Sequence, residues 1–138
     1  MTTSITRKEV AGTLSRDTRE LNEALHDIIV PSMAESSMPP GMLYANYATL
    51  TARAVFPELR KSDEHVIAAQ PAGDQMILAL VRRGLIRRLP VWLEEAAKTG
   101  DPKPYKAVYK RAKAWVAEEV RDLRNLPVEA LSKEARRV

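Results

Sequence analysis

The side chains best suited to chemistry are lysines and arginines between residues 102 and 124. On a helix with about 100° per residue, six of these cations fall within an arc of roughly 80°: Lys103, Lys106, Lys110, Lys113, Arg121 and Arg124. The other side of the same helix is mostly apolar, which predicts that it faces a core. A line of positive charge along a rigid helix binds phosphates or carboxylates by charge alone. We therefore predict that this face binds an anionic partner over about 30 Å. The plainer alternative is that it is the ordinary solvent-exposed side of a packed helix.

Four arginines around Gly84 extend this charge: Arg82, Arg83, Arg87 and Arg88. Residues 82–113 contain ten Lys/Arg and three Asp/Glu, an excess of +7 (10 − 3). We predict that the basic surface covers residues 82–124. A plainer alternative is that Gly84 ends a buried helix. The arginines would then surround its exposed C-terminus, where the helix dipole favours cations.

Two short stretches resemble DNA-binding motifs. Residues 81–89, VRRGLIRRL, resemble the end of a winged-helix recognition helix that runs into the first strand of its wing. Residues 8–18, KEVAGTLSRDT, are similar to a helix-turn-helix pattern. A wing requires a return strand, whereas residues 90–95 have a helical pattern, and the second stretch lacks the Gly-apolar pair of the turn. We assign the chain to neither family.

The histidines and the acidic pairs form no recognisable catalytic or metal-binding motif. Glu23 and His26 make one Glu-x-x-His step, whereas a di-iron carboxylate bundle needs two such steps and two further glutamates. Adjacent acids, such as those at 94–95 and 118–119, diverge by about 100° on a helix and are usually surface groups. We expect no catalytic residues, no metal and no cofactor, so the chain is not predicted to be an enzyme.

Glycines and prolines divide the chain into segments with helical apolar spacing, and β-branched runs are scarce. This pattern predicts an all-α fold, a compact bundle of five to seven helices in a single domain over residues 1–138. The first helix is predicted from the capping box of Thr6 and Glu9 to Val30, where Pro31 stops it. Its apolar seam is a candidate helix–helix interface, formed by Leu14, Leu21, Leu25 and Ile28.

The same punctuation predicts the remaining helices. The second helix runs from Pro39-Pro40 to just before Pro57, and a short third one begins at Pro57 or Ser62. A buried helix over residues 75–83 is capped by Asp74 and ended by Gly84, and a short helix runs from Pro90 to Lys98. Asp101 caps the long basic helix, which Pro102 begins, and a last helix begins at Pro127. Apolar residues point in all directions over 76–81, which predicts that this part is the central element.

Composition limits the cellular setting and the partners. The chain of 138 residues has no cysteine, which excludes disulfides and thiolate metal sites. Its first residues lack the apolar stretch of a signal peptide, and no apolar run approaches the ~18 residues of a membrane span. We expect a cytoplasmic protein without a membrane partner. Net charge rises from −2 in residues 1–40 (4 − 6) to +4 in residues 101–138 (10 − 6), which leaves head-to-tail self-association open.

These observations favour a non-enzymatic interaction protein. We expect its basic helical face to dock on an anionic macromolecule, as an assembly subunit or as an inhibitor of another protein with an acidic surface. The alternative is a sequence-tolerant nucleic-acid-binding protein, since phosphate contacts need only positive charge at repeated spacing. A homo-oligomer fits either hypothesis. Salt dependence separates the two, because binding to nucleic acid weakens steeply as salt rises.

Overall fold

Four helical elements make up most of the described chain. A computed structural model describes residues 18–33, 38–58, 70–127, 129–131 and 133. Helix α1 covers residues 18–33, and the longer helices are α2 (Pro40–Val55), α3 (Ala72–Lys98) and α4 (Pro104–Arg124). No described residue lies in a β-strand, so the prediction of a compact all-α fold is confirmed. The predicted capping box, Leu14 and the region of the short third helix, residues 59–69, lie outside the described residues.

Helix α1 changes type before it ends. Residues 18–24 are α-helical, Leu25–Ile29 form a π-helical turn and Val30–Met33 form a 3-10 turn. The backbone N–H after the π turn bonds the carbonyl five residues back. Pro31, the predicted stop, therefore lies inside helical structure. Proline cannot donate an α-helical hydrogen bond. The wider π-helical turn precedes Pro31, and the tighter 3-10 turn contains it.

Helix α3 is one continuous helix of 27 residues, so the predicted break at Gly84 and the predicted new start at Pro90 are wrong. Pro90 is exposed; it removes one backbone hydrogen bond and its ring crowds the carbonyl four residues earlier, yet the helix continues through it. Gly84 faces Trp115 of α4, and a Cβ at this position would lie 2.5 Å from the tryptophan ring. The glycine thus permits a close helix contact. Near its start, α3 is buried on several sides, as predicted: Met76, Ile77, Leu78 and Val81 are all buried.

Helices α3 and α4 form an antiparallel hairpin. Gly100 follows α3 with a φ of 75°, in the left-handed region that glycine adopts most readily. Asp101 accepts a hydrogen bond from the backbone N–H of Lys103 at 2.9 Å, and the helix begins at Pro104 instead of Pro102. Contacts pair late residues of α3 with early residues of α4: Glu95 with Arg111, Gly84 with Trp115 and Asp74 with Arg124.

The buried core draws on all four helices. Leu25 of α1, Tyr47 of α2 and Leu85 of α3 each have 0% of their surface exposed. Helix α4 contributes the apolar face predicted from its sequence, with these residues buried: Tyr105, Val108, Ala112, Val116, Val120 and Leu123. The amphipathic prediction for this helix is confirmed. Its cationic side consequently faces away from the core.

Tyr47 should make the fold less stable at alkaline pH. Its hydroxyl is buried without a hydrogen-bond partner among the described residues, and its ring packs edge-on against Tyr109 with centroids 5.2 Å apart. Burial, and secondarily Tyr109, raise the pKa of Tyr47 well above the ordinary value of 10.0. Above about pH 10 the unfolded chain therefore releases a proton that the folded chain retains, which favours unfolding by up to ~1.4 kcal/mol per pH unit.

The test is urea unfolding of wild type and Tyr47→Phe from about pH 9 to about pH 11. We expect the wild type to lose more stability over this interval, because phenylalanine has no proton to release. Groups that do not contact Tyr47 contribute equally to both proteins and cancel in the difference. Equal slopes for the two proteins would contradict the prediction.

Candidate functional site

Four lysines at the start of α4 form an exposed row. The lysine row consists of Lys103, Lys106, Lys110 and Lys113, all exposed. The spacing of Lys106, Lys110 and Lys113 places them on one side of the helix, and Lys103 is the residue just before its first turn, so the row extends over about 15 Å. The other residues on this side of α4 up to residue 117 are alanines: Ala107, Ala114 and Ala117. Within the described residues, no ion pair joins any of these four ammonium groups to a carboxylate.

The second half of α4 does not continue the row as a cationic surface. Residues 103–113 carry five Lys/Arg and no acid, whereas residues 114–124 carry two Lys/Arg and three Asp/Glu, a net −1 (2 − 3). Arg121 is exposed beside Glu118 and Asp122. Arg124 is engaged within the fold, because its guanidinium lies 3.4 Å from Asp74 and also donates to the Val55 carbonyl. The concentrated charge is therefore about half as long as predicted.

Arg82 and Arg83 are not part of the surface, which corrects the predicted extent of the site. Their exposed fractions are 3% and 6%. The Arg82 guanidinium donates to the hydroxyls of Thr51 at 3.1 Å and Thr18 at 2.7 Å, and to the Ala48 carbonyl at 3.4 Å. Arg83 also has an interaction partner. Because α3 continues through Gly84, both arginines lie inside a helix that is packed on several sides, not at an exposed helix end.

Arg87 and Arg88 are exposed, but Arg88 does not join the lysine row. Its guanidinium lies 4.5 Å from the centroid of the Trp115 ring and donates to the Gly84 carbonyl at 3.2 Å. Trp115 is about 140° around α4 from Lys110. The predicted basic surface over residues 82–124 is therefore divided, and the lysine row is its compact part.

The pair of tryptophans at the contact of α3 and α4 was not predicted from the sequence. Trp92 and Trp115 pack edge-on with centroids 6.0 Å apart. The sequence holds a signal for contacts of this kind, because an arginine precedes each tryptophan by four residues: Arg88 precedes Trp92 and Arg111 precedes Trp115. In the structure each arginine instead contacts the tryptophan of the other helix. Arg88 covers Trp115, and Arg111 lies 5.7 Å from the centroid of the Trp92 ring. Cation–π contacts of about 0.5–1 kcal/mol at exposed sites thus link the two helices.

No known protein family matches this chain, and no curated protein and no solved structure matches it either.

The Glu23–His26 step lies on an exposed side of α1. The His26 Nδ1 atom is 3.1 Å from an Asp27 carboxylate oxygen, and Glu23 lies 3.9 Å from Arg19. These side chains border an open cavity of about 480 Å³ that Tyr44 closes on one side. In the described ranges, no group of three His, Asp or Glu residues is placed to hold a metal ion. The same ranges contain no helix that is both long and apolar enough to cross a membrane.

The predicted apolar seam of α1 packs inside the chain. Leu21 and Leu25 are 2% and 0% exposed, so they contact the other helices of the same molecule. Ile28 is only half-buried, and Ile29 takes the fully buried position. The π-helical turn over Leu25–Ile29 explains the change, because its wider turn brings the fourth residue, not the third, beneath Leu25.

Proposed function

We propose that this protein is a non-enzymatic interaction protein that docks the lysine row on an anionic macromolecule. One observation carries the proposal: three exposed lysines share one side of a helix and a fourth directly precedes it, with no carboxylate among them. Like charges three or four residues apart destabilise a helix by about 0.2–0.5 kcal/mol per pair. The row contains two such pairs within α4, Lys106 with Lys110 and Lys110 with Lys113, and an anionic partner would relieve their repulsion.

The anchoring of α4 supports binding through this face. The opposite side of the helix is buried from Tyr105 to Leu123, and Arg124 links its end to α2 and α3. The backbone that carries the lysines is therefore ordered before a partner arrives. Binding would cost mainly the side-chain freedom of the lysines, about 0.5–1.5 kcal/mol for each one that is immobilised.

Two triple variants with equal charge test this proposal. The row variant is Lys106→Gln, Lys110→Gln and Lys113→Gln. The control variant is Arg87→Gln, Lys98→Gln and Lys133→Gln, whose side chains are exposed elsewhere. We expect the wild type and the control variant to bind heparin and poly-glutamate at low salt, and the row variant to bind about tenfold or more weakly. Fluorescence anisotropy of the labelled polymers measures this.

The two variants distinguish a specific surface from net charge. Both lower the net charge by three, so a general electrostatic effect would weaken both equally. Equal weakening, or no binding of either polymer by the wild type, would refute the proposed function. Circular dichroism at 222 nm checks that both variants keep the helical fold, as expected for substitutions at exposed positions.

A further inference from the structure

We propose that the anionic partner is double-stranded DNA, held through its backbone phosphates by the lysine row without recognition of base sequence. This inference rests on the proposed function and names its partner. Its support comes from the small residues beside the lysines, from the lack of apolar anchors and exposed aromatic rings among them, and from the length of the row.

The lysine row lacks the features that make a protein partner bind well. Stable protein interfaces depend on apolar or aromatic anchors that become fully buried. The large exposed hydrophobic side chains of the described chain are Met42 on α2, Val91 on α3 and Leu126 beyond the end of α4. None lies among the lysines. Exposed ion pairs alone contribute about 0–1 kcal/mol each, so four of them would reach at best a millimolar affinity.

A polyphosphate does not need such anchors. A lysine that neutralises a phosphate of duplex DNA releases condensed counterions, and this release supplies affinity even where no apolar surface is buried. This contribution favours nucleic acid over an acidic protein as the partner of a surface made of lysine alone. Lysine is also a point charge without the planar fork of arginine, and a point charge is sufficient for contact with phosphate oxygens.

The composition of the row favours duplex over single-stranded nucleic acid, and DNA over RNA. Proteins that bind single strands stack bases on exposed aromatic rings, whereas Tyr105 is buried and Trp115 lies on the other side of α4. Tyr109 lies beside the row, with its ring centroid 6.0 Å from the Lys113 ammonium, but it is half-buried and its ring packs against Tyr47 in the core. Recognition of duplex RNA uses contacts to 2′-hydroxyl groups, which both donate and accept hydrogen bonds. Lysine and alanine side chains offer no acceptor to these groups.

The length of the row matches a short stretch of one DNA strand. The row extends over about 15 Å, and successive phosphates of one strand are about 3.4 Å apart along the duplex axis. Roughly four phosphates of one strand therefore fall within the axial length of the row, one for each lysine. The small side chains of Ala107, Ala114 and Ala117 keep this side of α4 low, so that the ammonium groups project furthest.

The test is anisotropy of a labelled duplex DNA of about 20 base pairs between about 50 and 200 mM salt. We expect a log–log slope near −3.6, from four phosphates at ~0.9 each, which is about a 150-fold loss of affinity over this range. The row variant retains only Lys103 of the row, so its slope should fall to about −0.9 and its loss to about fourfold. The control variant should keep the wild-type slope. Duplexes of unrelated sequence should bind equally.

Parallel titrations with duplex RNA and poly-glutamate decide between the other partners. Binding of poly-glutamate but not of duplex DNA, with the same dependence on the row, would overturn this inference and leave the proposed function standing. Tighter binding of duplex RNA than of duplex DNA would also overturn it. A control variant that loses as much slope as the row variant would show that the row is not the DNA site. Binding to none of the polyanions would refute both the inference and the proposed function.

Discussion

Arg82→Ala should lower the free energy of unfolding by about 3–5 kcal/mol. The Arg82 side chain is 3% exposed and hydrogen-bonds α1 through Thr18 and α2 through Thr51 and Ala48. Alanine would remove these charge-assisted hydrogen bonds and leave a cavity where three helices meet. Both changes raise the free energy of the folded state and not of the unfolded state, because the arginine of an unfolded chain is fully hydrated.

Urea unfolding followed by circular dichroism measures this loss. Arg82→Met fills much of the cavity without restoring the hydrogen bonds, so we expect its stability to lie between those of alanine and wild type. Arg87→Ala is the matched control, since the neighbouring exposed arginine should change stability by less than about 0.5 kcal/mol. A cost below about 1 kcal/mol for Arg82→Ala would mean that this buried network contributes little.

Gly84→Val should destabilise the fold by about 1–3 kcal/mol. A Cβ at position 84 would lie 2.5 Å from Cη2 and 3.0 Å from Cζ2 of Trp115. The indole cannot move aside freely, because Arg88 covers its face and Trp92 packs on its edge. Insertion of a branched side chain therefore pushes α3 and α4 apart or forces the ring out of its place.

Gly73 provides a control within the same helix. A Cβ at Gly73 would meet nothing within 4 Å, so Gly73→Val should change stability by no more than about 0.5 kcal/mol. Thermal unfolding compares the two variants, and the near-ultraviolet circular dichroism of the tryptophans reports whether the Trp92–Trp115 contact has changed. Equal stability of the two variants, with unchanged tryptophan signals, would show that the close contact at Gly84 is not required.

The parts of the fold that could be predicted are those whose pattern is local. Helix α2 begins at Pro40 and ends at Val55, within the limits that the prolines on either side indicate. Helix α4 buries the apolar side that its periodicity predicts and exposes the four lysines of the row. Helical periodicity and proline punctuation act over a few residues, so they can be recognised in one sequence.

The rest of the candidate site depended on contacts between distant parts of the chain. Basic residues followed by a glycine are typical of a helix end, which led us to predict that Arg82 and Arg83 lie at an exposed terminus. Trp115 lies about thirty residues beyond Gly84 in the sequence, and its packing accounts for a glycine inside the helix. Arg124 likewise has the charge and spacing of a surface residue, yet Asp74 and the Val55 carbonyl engage it.

The all-α class, the amphipathic character of α4 and the position of the lysine row could be predicted from the residue pattern, because each depends on the period of one helix. Contacts between helices were needed to show that α3 passes through Gly84 and Pro90, that Arg82 and Arg83 are buried, and that Arg88 and Arg111 each cover the tryptophan of the other helix. Spacing along one helix specifies which side chains share a side. Burial, stacking and charge pairing depend on the neighbours that another helix brings to that side, and those neighbours are set by the packing of the whole chain.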